Sequence, residues 1–401
     1  MTNRTSIAIR KSEDTLKLMQ VAMGLRAADL AVINAKVLNV YTGELLENYS
    51  VCAWDRWIAY VGERAEGSIG EETQLIDAGG KTLIPGFIDG HTHMAWLSTA
   101  EAFLEYAMTG GTTTIITETL EAYPVAGLTG LIDFLESLRD QPVKILTTAP
   151  VMVSTSTAAK GIPIKDLQEL LLREDVVGLG ESYWQAVLQE PDRFVPTLTE
   201  TARVRKTLEG HTAGASEKKL MGYLAAGISS CHEPIKSEEV LDRLRLGLHV
   251  MVREGSIRRD LEEITRIKDA GADLRRLTLV SDGIDPSDLI EKGYMEYIVQ
   301  KAIDCDFDPV TAIQMATLNV AEHFRLDNMI GGIAPGRYAD MLIIPDERTI
   351  RPEYVISNGK IISKNGKLLV SPRTHVFTQS SLNTIRLAEG LKAEDFSILT
   401  P

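Results

Sequence analysis

Thr82-Leu-Ile-Pro-Gly-Phe-Ile-Asp-Gly-His-Thr-His93 sets the reading of the whole chain, because a brief apolar run ends there in ligand-type side chains. In an extended segment residues two apart point to the same side, so the imidazoles of His91 and His93 are placed to grip one ion. The same rhythm, an apolar strand ending in polar residues and then a helical stretch, continues from Lys81 to about Phe324. The spacing predicts strands at Thr82–Phe87, Thr113–Ile116, Val143–Thr147, Val176–Leu179, Thr207–Leu208, Ile228–Ser230, His249–Val252 and Leu277–Val280. Helical patterns between them include Leu128–Leu138, Lys165–Leu172, Ser216–Ala226, Glu238–Leu248, Leu261–Ala270 and Met295–Ile303. Eight such units in one run match an α/β fold of the (β/α)8 TIM-barrel type better than a doubly wound sheet.

Barrel enzymes carry their chemistry at the C-terminal ends of the strands. Here those ends read Asp89-Gly-His91-Thr-His93, Glu118, Glu181, Gly210-His211, Cys231-His232-Glu233, Arg253-Glu254 and Ser281-Asp282. Four of the seven histidines stand at three of these ends. Imidazoles suit Zn, Mn, Fe or Co, and a carboxylate adds negative charge and bridges two ions held about 3.5–4 Å apart. The pattern therefore predicts His91 and His93 on one ion, His211 and His232 on a second, and Glu181 between them. Asp282 is read as both ligand and proton acceptor. His249 at the start of an apolar strand, His323 in a helix and His375 in the tail are read as structural.

Outside this run the pattern changes. Thr15–Leu30 reads as an amphipathic helix, and Ala31–Val40, Val51–Tyr60 and Gln74–Ile76 as short strands broken by tight turns. Ala339–Ile344, Pro352–Val355 and Lys360–Ile362 return to short strands. The expected division is residues 1–80, a helix and the first part of a small β domain; 81–330, the barrel; 331–372, the rest of the β domain; and 373–401, a tail. The two β segments are expected to pair into one flanking sandwich.

Composition narrows the function classes. With 42 Lys and Arg against 56 Asp and Glu the net charge is −14, which repels nucleic acid and anionic membranes, and no basic patch offsets it. Three cysteines, Cys52, Cys231 and Cys305, have no paired spacing, which fits a reducing, cytoplasmic setting. No window approaches the roughly 20 apolar residues of a membrane span. The Gly110-Gly111 pair is a turn and not a phosphate loop, since no Lys-Ser/Thr follows.

Pro85-Gly-Phe-Ile-Asp-Gly-His-Thr-His93 resembles the first-strand signature of the amidohydrolase superfamily. Gly178-Leu-Gly-Glu181, Gly210-His-Thr-Ala-Gly214, Tyr223-Leu-Ala-Ala-Gly-Ile228, Cys231-His-Glu233, Val252-Arg-Glu-Gly-Ser256 and Gly332-Ile-Ala-Pro-Gly-Arg-Tyr-Ala-Asp340 resemble its adenine deaminases. The likeness runs from about Ala27 to about Val370. It implies a binuclear Mn or Fe centre, with Zn as the alternative, hydrolysis of adenine to hypoxanthine and ammonia, a small purine-like substrate, and a homo-oligomer. Glu181 takes the position that a carboxylated lysine holds in many cyclic-amide hydrolases of the superfamily.

Three departures stand out. Adenine deaminases carry Glu-Ser-Ser where this chain has Ala95-Trp96-Leu97, and Asp-Pro-His-Glu where it has Glu118-Thr-Leu120-Glu121. They carry paired aspartates where it has Asp282-Gly283, and fuller members continue into a further C-terminal domain. Trp96, Arg253 and Glu254 are candidate substrate contacts: Trp96 by stacking, and Arg253-Glu254 as either an ion pair shaping the pocket or a direct contact. The expected reaction has Asp282 take a proton from the attacking water and pass it to the leaving ammonia, with Glu233 or Glu121 protonating the ring nitrogen. The rival readings are the same site acting on another cyclic amide, amidine or N-acyl compound, and a metal-binding scaffold without activity.

Overall fold

The computed structural model describes residues 10–96, 98–151, 161–384 and 387–397, so Leu97 lies outside the described residues. The first strands are β1 (Leu30–Asn39), β2 (Glu44–Trp54), β3 (Trp57–Gly62), β4 (Gln74–Asp77) and β5 (Thr82–Pro85). The middle group is β6 (Phe87–Thr92), β7 (Thr112–Thr117), β8 (Lys144–Ala149), β9 (Val176–Tyr183), β10 (Thr207–His211), β11 (Ser230–Cys231), β12 (His249–Arg253) and β13 (Leu277–Val280). The last are β14 (Met341–Ile344), β15 (Tyr354–Ser357), β16 (Lys360–Lys364) and β17 (Lys367–Leu368).

The middle eight are parallel within two pieces, a five-stranded sheet in the order β10-β9-β8-β7-β6 and a three-stranded sheet in the order β11-β12-β13. The free edges of the two pieces lie beside one another. Ser229 N donates to Leu208 O at 2.8 Å next to β10 and β11, and Asp282 N donates to His91 O at 3.0 Å where β13 meets β6. Every residue of β6, β7, β8, β12 and β13 is buried, as expected of parallel strands covered on both faces. The protein is thus a mixed α/β fold with parallel strands joined through helices.

The run expected as one strand, Thr82–Phe87, is divided. β5 pairs with β1 and β14, and only β6 joins the parallel sheet beside β7. Pro85 and Gly86 make the break. A Cβ on Gly86 would lie 2.3 Å from Thr113 Oγ1, so this close crossing accepts no side chain. Val51–Tyr60 likewise divides at a hairpin, where Asp55 adopts φ 50° between β2 and β3.

Strands from both sides of the parallel region share one nine-stranded sheet, ordered β17-β16-β15-β14-β5-β1-β2-β3 with β4 on β1. β5 and β14 make the join, antiparallel, with Thr82 opposite Ile344 and Pro85 opposite Met341. This sheet is tied to the parallel one by a buried ion pair. Lys144, which opens β8, donates from Nζ to Asp340 Oδ1 at 2.9 Å and Asn358 Oδ1 at 3.0 Å, and lies over the Tyr338 ring. Burial lowers the Lys144 pKa and the Asp340 carboxylate opposes that.

The tail, which has no sequence period, is anchored by polar contacts. Asp133, on the helix Ala122–Leu138, accepts from His375 Nε2 at 2.8 Å, Thr378 N at 2.8 Å and Ser381 Oγ at 2.5 Å. No helix among the described residues is long and apolar enough to cross a membrane.

Glu296 brings a pH dependence into the fold. Burial pushes its carboxyl from 4.5 up to about 7, and its Oε2 has no hydrogen-bond partner among the described residues. A raised carboxyl pKa favours the neutral form, so this stability is intact below the unfolded value of 4.5 and lost as pH rises through about 7. Glu296→Gln is expected to be roughly 3 kcal/mol more stable than the parent at about pH 8 and indistinguishable at about pH 4. Urea unfolding at the two pH values measures it; an equal difference at both would assign the effect to packing.

Candidate metal centre

Six side chains converge at the C-terminal ends of the parallel strands. His91 and His93 come from the end of β6, Glu181 from β9, His211 from the end of β10, His232 from just after β11 and Asp282 from just after β13. Two breaks in strand register lie within this region, between Asp89 and Thr92 on β6 and between Leu208 and Gly210 on β10. Such bulges re-aim side chains at the rim of a sheet. Asp282 sits in the left-handed region at φ 60°, a conformation that Asp tolerates better than most residues and that is held here by its N–H bond to His91 O.

Glu181 is the hub. Its Oε1 lies 3.0 Å from His91 Nε2, 3.2 Å from His93 Nε2 and 3.4 Å from His232 Nε2, and its Oε2 lies 2.8 Å from His211 Nε2. Asp282 Oδ1 is 3.3 Å from His91 Nε2 and 3.5 Å from His93 Nε2. The ligand atoms fall into two groups that share Glu181: His91, His93, Glu181 and Asp282 in one, Glu181, His211 and His232 in the other.

The residues fit divalent ions. His91 Nε2 and His211 Nε2 are buried and close to Glu181, yet neither is aligned for a hydrogen bond. Nitrogens crowded round a carboxylate without bonding to it are what a shared cation would require. Electrostatics agree. For His91, burial lowers the pKa, but Asp282 and Glu181 outweigh it and raise the value to about 10. For His232, burial and the charges of His91 and His211 push it well below the usual range. For Glu181, burial alone would raise the pKa, and His211, His91 and His93 hold it well below the ordinary carboxylate value.

Around the six lies a ring of carboxylates. His93 Nδ1 donates to Glu121 Oε1 at 2.5 Å, and Glu233 Oε1 lies 3.2 Å from His211 Nδ1. Both candidate acids therefore face the far nitrogen of a histidine of the cluster. Glu118 has no assigned role in the sequence reading, although its place at a strand end was the available signal. It is 1% exposed, its two oxygens have no hydrogen-bond partner among the described residues, and Oε1 is 3.7 Å from His91 Nδ1. Burial, then the charge of Glu181, raises its pKa to about 7.

Arg253 and Glu254 do not pair with each other. They are neighbours in an extended segment and point to opposite faces. Arg253 reaches Glu233 Oε1 and Asp282 Oδ2 at 3.3 Å each and Asp260 Oδ2 at 2.9 Å. Glu254 turns outward, where it accepts from Lys301 Nζ at 2.8 Å, so it stands apart from the cluster. Trp96 stacks on the His93 imidazole, with ring centroids 4.4 Å apart and 17° between planes. His249, at the start of β12, and His323, at the end of the helix Leu318–His323, lie against each other, and His323 Nε2 donates to Glu209 at 3.0 Å. His375 is the Asp133 partner described above.

Known proteins share this arrangement of sequence. The chain is 34% identical over 393 residues to an adenine deaminase of Clostridium botulinum (strain ATCC 19397 / Type A), covering 96% of this chain and 65% of that protein. It is 36% identical over 394 residues to an adenine deaminase of Cenarchaeum symbiosum (strain A), covering 96% and 64%. The chain thus spans about two thirds of the length of these relatives. Among solved structures, a beta-aspartyl dipeptidase from Fervidobacterium islandicum AW-1 is similar in fold, with a TM-score of 0.64 at 20% identity over 84% of this chain and 97% of that one. Residues 82–362, which hold all six converging side chains, match the family described as the amidohydrolase family, and the chain belongs to it.

Proposed function

We propose that the protein is a binuclear-metal deaminase that converts adenine, or a close purine relative, to the 6-oxo product and ammonia. The two ligand groups joined through Glu181 carry this reading, and the adenine deaminases similar along 96% of the chain support the substrate class. We also take the two parallel pieces as one (β/α)8 barrel with a flanking sandwich, since their edges adjoin at both seams. Mn or Fe is the proposed metal, with Zn as the alternative.

Divalent ions in the two groups would acidify water and polarise the carbon–nitrogen bond under attack. In the overall reaction a carbon–oxygen bond forms from water and the exocyclic carbon–nitrogen bond breaks; one water proton leaves with ammonia and the other ends on the ring nitrogen of the 6-oxo product. Asp282 is the proposed proton carrier, with Arg253 fixing its outer oxygen at 3.3 Å. Glu121 and Glu233 then serve by orienting His93 and His211, because a carboxylate on the far imidazole nitrogen fixes the tautomer and raises ligand basicity.

The test is direct. Mn-loaded protein given adenine is expected to release one ammonia per hypoxanthine formed, and His91→Ala or His211→Ala to lose metal and activity together. Full metal occupancy without ammonia from any purine would leave the scaffold reading standing. For Glu121→Gln, a roughly 10–100-fold loss of metal affinity is expected in chelator competition. Unchanged affinity with a lost rate would return Glu121 to the role of proton donor.

A further inference from the structure

Beside the metal centre lies a cavity of about 240 Å³, lined by His93, Trp96, Ser256, Ile257, Gly283, Ile284 and Asp285. One wall is hydrocarbon. Trp96 and Ile257 are 46% and 44% exposed, so both offer open apolar surface. Gly283 lies between them: a Cβ there would meet Ile257 Cδ1 at 2.8 Å and Trp96 Cζ3 at 3.5 Å. Two departures from the adenine deaminase pattern, at Trp96 and Gly283, therefore meet on this one wall. The smallest residue makes room for the two large ones.

Each polar side chain of the cavity has a hydrogen-bond partner of its own. Ser256 Oγ donates to Asp288 at 2.7 Å and accepts from Asp285 N at 2.9 Å. Asp285 accepts through the one oxygen Oδ1 from Ser287 N at 2.9 Å and Asp288 N at 3.1 Å, capping the helix that follows. His93 is turned to Glu181 and Glu121. A ring nitrogen pressed against this wall would lose water and gain no side-chain hydrogen bond, whereas a hydrocarbon group would gain apolar contact.

We propose that the Trp96–Gly283–Ile257 wall selects an amino-substituted purine carrying a small hydrocarbon group on the edge turned away from the metal centre, in preference to adenine itself. This inference rests on the deaminase reading above. One methylene in an apolar pocket changes selectivity by roughly 10–200-fold.

The experiment compares kcat/KM for ammonia release by the Mn-loaded protein on adenine, 2-methyladenine and 8-methyladenine. At least one methylated base is expected to exceed adenine by about 10-fold or more. Ile257→Ser, a change at an exposed position that leaves the metal ligands alone, is expected to bring that ratio close to one, and Gly283→Ala to reduce it by pushing Ile257 aside. Adenine outperforming both methylated bases overturns the inference and leaves the deaminase reading intact. A ratio unchanged in Ile257→Ser also overturns it. No ammonia from any of the three bases overturns the deaminase reading itself.

Discussion

Asp282→Asn is expected to keep its metal and lose roughly 10²–10⁴-fold in kcat, with a smaller change in KM. The side chain has two separable duties. Oδ1 faces His91 and His93 at 3.3 and 3.5 Å, on the side of the ligand cluster. Oδ2 faces Arg253 at 3.3 Å. An amide turned so that its oxygen stays with the histidines keeps one ligand atom and brings its NH2 against Arg253, which still has Asp260 and Glu233. Neutral Asn accepts no proton, so the proton transfer proposed for Asp282 is expected to fail while the cluster remains. Burial would raise the Asp282 pKa, but His91, His93 and the nearby His232 hold it well below the usual range, leaving the ionised form as the resting one. Elemental analysis beside steady-state kinetics decides the matter. A variant with both its metal and most of its turnover would move the proton to another carboxylate, with Glu233, on the same Arg253, next in line.

Asp340→Ala is expected to destabilise the protein by about 3–5 kcal/mol, as found when one partner of a buried ion pair is removed. Lys144 is 2% exposed and Asp340 6% exposed, so the ammonium left behind has no water to turn to. Asp340 also accepts from Asn358 N at 2.9 Å, so that turn loses its partner as well. Replacing both members by apolar residues of similar size, Lys144→Met with Asp340→Leu, is expected to cost much less than the single change. Denaturant unfolding of the two variants measures the difference. Equal losses in the single and double variants would mean that the pair matters through shape alone.

The convergence of the candidate metal cluster was legible because two regularities coincide. Strand side chains alternate, and parallel strands covered by helices collect their C-terminal ends on one side, so a His or Glu at each end is a spatial statement. His91, His93, Glu181, His211, His232 and Asp282 all converge on that basis. What was not legible depended on partners that no local pattern records. Thr82–Phe87 reads as one apolar strand, and only the partners of β5 reveal that Thr82–Pro85 leaves for another sheet. Glu254 looks like a site residue until its neighbour Arg253 is seen to take the inward direction. Ile257 had no signal, being one apolar residue in a loop. The tail lacks periodicity because hydrogen bonds to Asp133, and not an apolar stripe, fasten it.

The pairing of β5 with β14 has a consequence for how the chain is made. On a ribosome adding about 5–20 residues per second, β5 emerges some ten to fifty seconds before the strand that covers its edge. During that interval Leu83 and Ile84, both fully buried in the finished protein, stand at an open strand edge. The parallel strands are free to collapse first, leaving a nascent chain that invites a holding chaperone. Refolding from denaturant should accordingly be slow, because closing so long a loop delays the contacts that complete the sheet, and its yield should fall as concentration rises and open edges pair between chains.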